Sequence, residues 1–187
     1  MIAEPEVREF QKIPRLNRPV IVTEKIDGTN ACVVVGEDGR VSAQSRSRII
    51  TPAEDNYGFA KWVEWNSQEL ALLGPGYHYG EWWGSGIQRG YGLTEKRFSL
   101  FNVSRWSDAG GLRPACCQVV PVVAEGIGFG LVATALDLLR DTGSFASPGF
   151  MQPEGLVAFH AQGRLLFKAT LEKDQEPKAR PAAASTP

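Results

Sequence analysis

Lys25 stands in the string Glu24-Lys25-Ile26-Asp27-Gly28-Thr29-Asn30. A lysine at the end of a strand, followed by a turn, can project into a cleft. Neighbouring cations and loss of solvent favour its neutral amine, and the neutral amine is a nucleophile. Other segments able to do chemistry follow in order. Ser45-Arg46-Ser47-Arg48 carries two guanidinium groups, and Gly80-Glu81-Trp82-Trp83-Gly84 sets a carboxylate beside two aromatics. Phe98-Ser99-Leu100-Phe101-Asn102-Val103 offers two phenyl rings. Pro153-Glu154-Gly155-Leu156-Val157 brings another carboxylate, and Leu166-Phe167-Lys168-Ala169-Thr170 a second lysine. Each string alone is common, and a Lys-x-Asp-Gly turn is ordinary surface punctuation. Their order along one chain is the informative feature.

The elements that must position these groups are mixed. Pro19–Lys25 and Asn30–Val35 are β-branched runs with the Asp27-Gly28 turn signal between them. Glu37-Asp38-Gly39 is a tight turn, so Asn30–Val35 and Val41–Ser45 should form a hairpin. The stretch 56–73 repeats Phe59, Trp62, Val63, Leu70 and Leu73 at helical spacing and stops at Gly74-Pro75-Gly76. Tyr77–Trp83, Phe98–Val103 and Val119–Val123 read as strands, with the Gly-rich loop 84–92 after the first. Leu131–Arg140 reads as a helix. Gly155–Ala161 and Arg164–Thr170 read as a hairpin around Gln162-Gly163. The fold class is α+β, with antiparallel sheets, flanking helices and no internal repeat.

A chain of 187 residues fits one domain, at the usual scale of about 100–200 residues. The domain is expected over 1–171. Residues 172–187 hold too few core formers to offset their ordering entropy and are expected to be a disordered tail. The net charge is −1, from 20 basic and 21 acidic residues. Residues 1–105 carry 13 of each sign, and the remainder 7 basic and 8 acidic. There is thus no basic arm, and any grip on nucleic acid must be local. Cys32, Cys116 and Cys117 are an odd set without zinc spacing, which favours a reducing compartment. The charged opening does not resemble a signal peptide, and no run approaches the roughly 18 apolar residues of a membrane span. A cytoplasmic monomer without membrane contact is expected. His78 reads as a satisfied strand histidine, and His160 has no acid in sequence reach.

The six segments, in this order, resemble the covalent nucleotidyltransferase superfamily of ATP-dependent ligases and mRNA capping enzymes. Asn30, five residues beyond Lys25, makes the first segment look most like the RNA ligase 2 type and its editing-ligase relatives. The likeness covers roughly residues 10–172. It implies an ATP-grasp-like nucleotidyltransferase domain of polynucleotide ligases. It implies that Lys25 attacks the α-phosphate of ATP and holds AMP as a phosphoramide, with Lys168 as the second cation near that phosphate. Two ammonium groups in one cleft would lower the pKa of Lys25. Glu154 would bind Mg²⁺, which favours one or two carboxylates plus phosphate oxygens.

The resemblance further implies that Glu81 meets the ribose hydroxyls and that Arg46 contacts ribose or phosphates. Glu24 would read the amino edge of adenine. Asp27 and Gly28 belong to the nucleotide-binding turn. Phe101 matches the aromatic that stacks on adenine, although strand alternation alone does not choose it over Phe98. Asn30 would position the strand end being sealed, with Arg48 as a further nucleic-acid contact. The implied partner is RNA with nicked or broken ends, with DNA as the alternative, and the implied role is RNA repair. A capping-type enzyme and a non-catalytic nucleic-acid-binding relative are the competing readings. Two positions depart from the pattern. Asn102 stands where the family has Asp, and Thr170 where it has a second lysine, with Lys173 three residues on.

Overall fold

Alternating aliphatic residues give Pro19–Lys25 (β1) two faces. Val20, Val22 and Glu24 are buried, while Ile21, Thr23 and Lys25 are half-buried on the opposite face. The computed structural model describes residues 7–107, 113–172 and 174. Thr29–Val35 (β2) and Val41–Ser45 (β3) form the expected hairpin, extended by Ile49–Ile50 (β4). Phe59–Trp65 (α1), Ser67–Leu70 (α2), Gly76–Gly84 (β5) and Lys96–Leu100 (β6) follow. Val103–Trp106 (α3), Cys117–Val119 (β7), Val122–Ile127 (β8) and Gly130–Thr142 (α4) come next. Gly155–His160 (β9) and Leu165–Thr170 (β10) close the fold as the expected hairpin. Apart from Glu172 and Asp174, the expected tail lies outside the described residues, as does Lys173.

The strands make two sheets. One has the order β10-β9-β1-β8 and is antiparallel throughout. The other has the order β4-β3-β2-β5-β6-β7. It is antiparallel except for the parallel β6–β7 pair, a departure from the all-antiparallel expectation. Each sheet packs on its own helices. Phe59 and Val63 of α1 and Leu70 of α2 join Trp82 and Phe98 in the core of the larger sheet. Ala135 and Leu139 of α4 pack with Val20, Val22 and Leu156 of the smaller sheet. Ile26, Trp83, Tyr91 and Val120 form a third buried cluster. All three cysteines are free thiols.

Three expected elements end early, each for a local reason. The helix over 56–73 breaks at Asn66, which caps the end of α1, its amide nitrogen donating to the Trp62 carbonyl at 2.7 Å. Its start is set by Asp55, whose carboxylate accepts from the Ala60 and Lys61 amides at 2.8 and 3.2 Å. The strand over Phe98–Val103 stops at Leu100. Asn102 accepts from the Arg105 amide at 3.1 Å and caps α3 instead. The strand over Val119–Val123 is two strands. β7 pairs in the larger sheet and β8 in the smaller, and the chain crosses between them at Val120-Pro121. Pro121 lacks an amide proton, and its carbonyl accepts from Glu24 at 2.9 Å.

The larger core rests on four rings. The Phe59 and Trp62 centroids lie 5.7 Å apart, and each lies 5.2–5.7 Å from those of Trp82 and Phe98. Phe59→Ala should therefore cost about 3–5 kcal/mol of unfolding free energy. Urea denaturation checks this, and a loss under about 1 kcal/mol would mean that the ring does not organise the core.

Candidate active site

A cleft of about 820 Å³ opens between the sheets. Lys25, Glu24 and Thr23 of β1 line it, with Asn30 of β2, Glu81 of β5 and Lys168 of β10. Phe101, Tyr77, Tyr79, Phe159 and Phe167 supply aromatic walls. Phe101 is 42% exposed and Phe98 is fully buried, so Phe101 is the ring a ligand can reach.

Pairing of Lys25 with Gly155 sets Glu154 beside the lysine. Lys25 Nζ lies 2.5 Å from Glu154 Oε2, both side chains partly exposed. Lys168 pairs with Val157, and Val157 pairs with Thr23. Lys168 is thus two strands across and two residues along from Lys25, with Cα atoms about 12 Å apart by strand spacing. Both lysines line the one cleft, and the charge in direct contact with the Lys25 amine is the Glu154 carboxylate. Thr170, through Gly155, is level with Lys25. Its hydroxyl donates to the Glu172 carbonyl at 2.9 Å, away from the cleft chemistry.

Glu81 is 8% exposed. It accepts from the Gly28 amide at 3.1 Å and weakly from the Asn30 side chain at 3.5 Å. Burial pushes its pKa up to about 7, against the lowering effect of Lys25 and the Gly28 amide, while Glu154 and Asp27 raise it further. Gly28 is required by close approach. A Cβ there would sit 2.5 Å from the Trp82 carbonyl and 2.7 Å from Trp83 Cβ.

Asp27 and Gly28 do not line the cleft. Asp27 faces Arg89, with Nε 3.0 Å from its Oδ2, and its amide donates to the Tyr91 hydroxyl at 2.8 Å. Arg46 and Arg48 also lie outside the lining, exposed on the turn between β3 and β4. Arg48 pairs with Glu54 at 3.2 Å. Ser45 pairs with Ala31, which puts the following Arg46 near the level of Asn30.

Glu24 corrects an expectation. Its side chain points to the opposite face from Lys25 and is 1% exposed. Both oxygens are committed, to Ser144 Oγ at 2.6 Å and to the Phe145 and Ala146 amides at 2.8 Å. Burial raises its pKa against those three donors. The carboxylate holds the loop after α4 and has no oxygen turned to a base in the cleft. His78 is a satisfied strand histidine, bonded to the Gly74 carbonyl at 2.8 Å, and burial pushes its pKa down. His160 contacts the Leu16 carbonyl at 3.1 Å and accepts from the Gly163 amide at 3.0 Å. Sequence reasoning missed Arg89, Tyr91 and Ser144. The Gly-rich stretch around Arg89 and Tyr91 was the available signal; Ser144 had none.

A model of the RNA ligase family matches residues 18–170, and the chain belongs to that family. No curated protein sequence matches it. The fold is similar to that of a Naegleria gruberi RNA ligase variant solved with ATP and Mn. That match has a TM-score of 0.61 at 20% identity and covers 86% of this chain and 52% of the other. A second variant of that ligase, also with ATP and Mn, gives 0.62 at 21% identity, covering 84% and 51%. A third, with AMP and Mn, gives 0.60 at 20%, covering 83% and 50%. The chain therefore spans about half the length of these structures. No helix among the described residues is long and apolar enough to cross a membrane.

Glu81 makes stability depend on pH. Unfolded, it ionises near 4.5; folded, it keeps its proton to about 7. Between those values the folded state binds more protons, so stability falls as pH rises through the window, by about 3 kcal/mol in total. Glu81→Gln keeps an acceptor for Gly28 and removes the titration. Urea denaturation at pH 5 and pH 8 should find the variant gaining on the native protein at the higher pH. Parallel profiles for the two proteins would refute the assignment.

Proposed function

We propose that the chain is the nucleotidyltransferase domain of an ATP-dependent RNA ligase that carries AMP on Lys25. The observation that carries this reading is the Lys25–Glu154 contact of 2.5 Å beside a nucleotide-sized cleft, in a member of the RNA ligase family. The domain runs over 1–171, a reading the family match over 18–170 supports.

The chemistry follows from the groups present. The neutral Lys25 amine attacks the α-phosphorus of ATP. A P–N bond forms, the P–O bond to pyrophosphate breaks, and the amine proton is lost. Lys25 must first give up its ammonium contact with Glu154. Lys168, on the same face of the smaller sheet, supplies positive charge for the phosphate oxygens. Phe101 offers its exposed ring to adenine, and Glu81 offers two oxygens to the ribose hydroxyls. Among the described residues, no three His, Cys, Asp or Glu side chains gather as a closed cation cage. Glu154, partly exposed and electrostatically coupled to Glu81, fits the open carboxylate site that Mg²⁺ shares with phosphates and water. Bound there, Mg²⁺ would neutralise phosphate charge.

AMP then passes from Lys25 to a 5′-phosphate. A 3′-hydroxyl, positioned by Asn30 at the cleft, displaces AMP and seals the strand. Each step is an in-line attack at phosphorus, so one cleft serves all three. RNA ends, nicked or broken, are the proposed substrate, in an RNA-repair role. The free thiols fit a cytoplasmic setting, and the domain is proposed to act as a monomer.

Incubation with α-labelled ATP and Mg²⁺ should label the native chain, and Lys25→Ala should abolish the label. Unlabelled GTP should not compete. The labelled protein should seal nicked RNA faster than nicked DNA. Undiminished labelling of Lys25→Ala would end the proposal, and faster sealing of DNA would reassign the substrate.

A further inference from the structure

The Gly-rich stretch between β5 and β6 has a strained backbone. Gln88, Gly90, Tyr91 and Gly92 all have positive φ, at 44°, 66°, 53° and 67°. Two of the four carry side chains, for which this conformation is costly. Surrounding contacts hold it. Tyr91 is buried edge-on against Trp83 at 5.0 Å, and its carbonyl accepts from Ser147 Oγ at 2.9 Å. The outcome is that Arg89 and Tyr91 both meet Asp27. The Tyr91 hydroxyl accepts from the Asp27 amide, and the Arg89 guanidinium takes its carboxylate.

Arg89 reaches further. Its Nε meets Asp27 Oδ2 at 3.0 Å, and its Nη1 donates to the Gln152 carbonyl at 3.1 Å. Asp27 is two residues after Lys25, and Gln152 is two residues before Glu154. One rigid guanidinium fork therefore ties the lysine's turn to the glutamate's loop. A lysine, with a single nitrogen, cannot reproduce the fork. The third contact, Nη2 to Glu172 Oε2 at 3.8 Å, goes to a 72% exposed carboxylate and is a weak, screened pair.

We propose that Arg89 is a positioning residue that sets the approach of Lys25 to Glu154. The functional part of this inference rests on the ligase reading above. Arg89 lies outside the residues lining the cleft and acts through the two segments it joins.

The test compares the native chain, Arg89→Ala, Arg89→Lys and Glu172→Ala. Hydrogen–deuterium exchange reads positioning without any activity. Arg89→Ala should speed exchange over residues 25–30 and 150–156 and leave 96–100 unchanged. Lysine adenylation should lose on the order of 10- to 100-fold in kcat, with little change in KM for ATP. Arg89→Lys should recover part of that loss, and Glu172→Ala should match the native chain. Unchanged exchange in the two segments would overturn the proposal, as would faster exchange spread equally over all peptides. An unchanged kcat in a labelling-competent protein would also overturn it. A native chain that never labels would defeat the ligase reading, while the exchange comparison would still decide whether Arg89 joins the two segments.

Discussion

Three residues, Ile26 to Gly28, carry the chain from the end of β1 in one sheet to the start of β2 in the other. So short a crossing leaves the backbone no slack. Ile26 must bury in the cluster with Trp83 and Tyr91, and Gly28 must lie against Trp82. Lys25, at the edge of the first sheet, is thereby brought within reach of Glu81 on the second. The Val120-Pro121 crossing returns the chain beside Glu24 and bonds to its amide. The cleft is the gap between two sheets stitched at these points. A residue added to either crossing would shift the relation of Lys25 to its neighbours.

Four carboxylates stand along or beside that crossing, and each is compensated differently. Glu24 is buried deepest and is held by three hydrogen-bond donors. Asp27 has a guanidinium partner, and Glu154 has the Lys25 ammonium. Glu81 has one good donor and one long one, and keeps a proton to about 7. Burying an under-satisfied charge is costly, so a cleft needs few such groups. Of the four, Glu81 and Glu24 line the cleft, and Glu24 has both oxygens committed away from it. Glu24 braces the loop after α4, and Asp27 holds Arg89 through one oxygen.

Much of this was legible in the sequence. Most strands, the two hairpins and the α4 helix follow from alternation and turn signals, and the meeting of Lys25, Glu81, Phe101 and Lys168 at one cleft was implied by the family resemblance that the order of the segments carries. The errors have local causes. Asn66 and Asn102 interrupt elements because their side chains bond backbone that apolar spacing would have continued, and periodicity does not register that competition. Glu24 was readable in part. Adjacent strand residues face opposite ways, so a cleft-facing Lys25 already sends Glu24 inward. Its partner Ser144 was not readable, because 120 residues separate them. Phe101 over Phe98 needed the sheet, since only packing tells which ring the helices cover. Arg89 carries no motif of its own, and its meaning appears only when Asp27 and Gln152 are found on either side of it.

Glu81 has hydrogen-bond partners on both oxygens, but one of them is long. One oxygen has the Gly28 amide and the other only a 3.5 Å contact from Asn30. Burial then favours the proton over the charge. A ribose bound as proposed brings two hydroxyl donors to this carboxylate. Hydrogen bonds to the charged form favour that form, so binding would pull the proton off. Nucleotide affinity and the charge of Glu81 would then be linked. Any better-satisfied side chain at this position would make a more stable protein and a weaker ribose site.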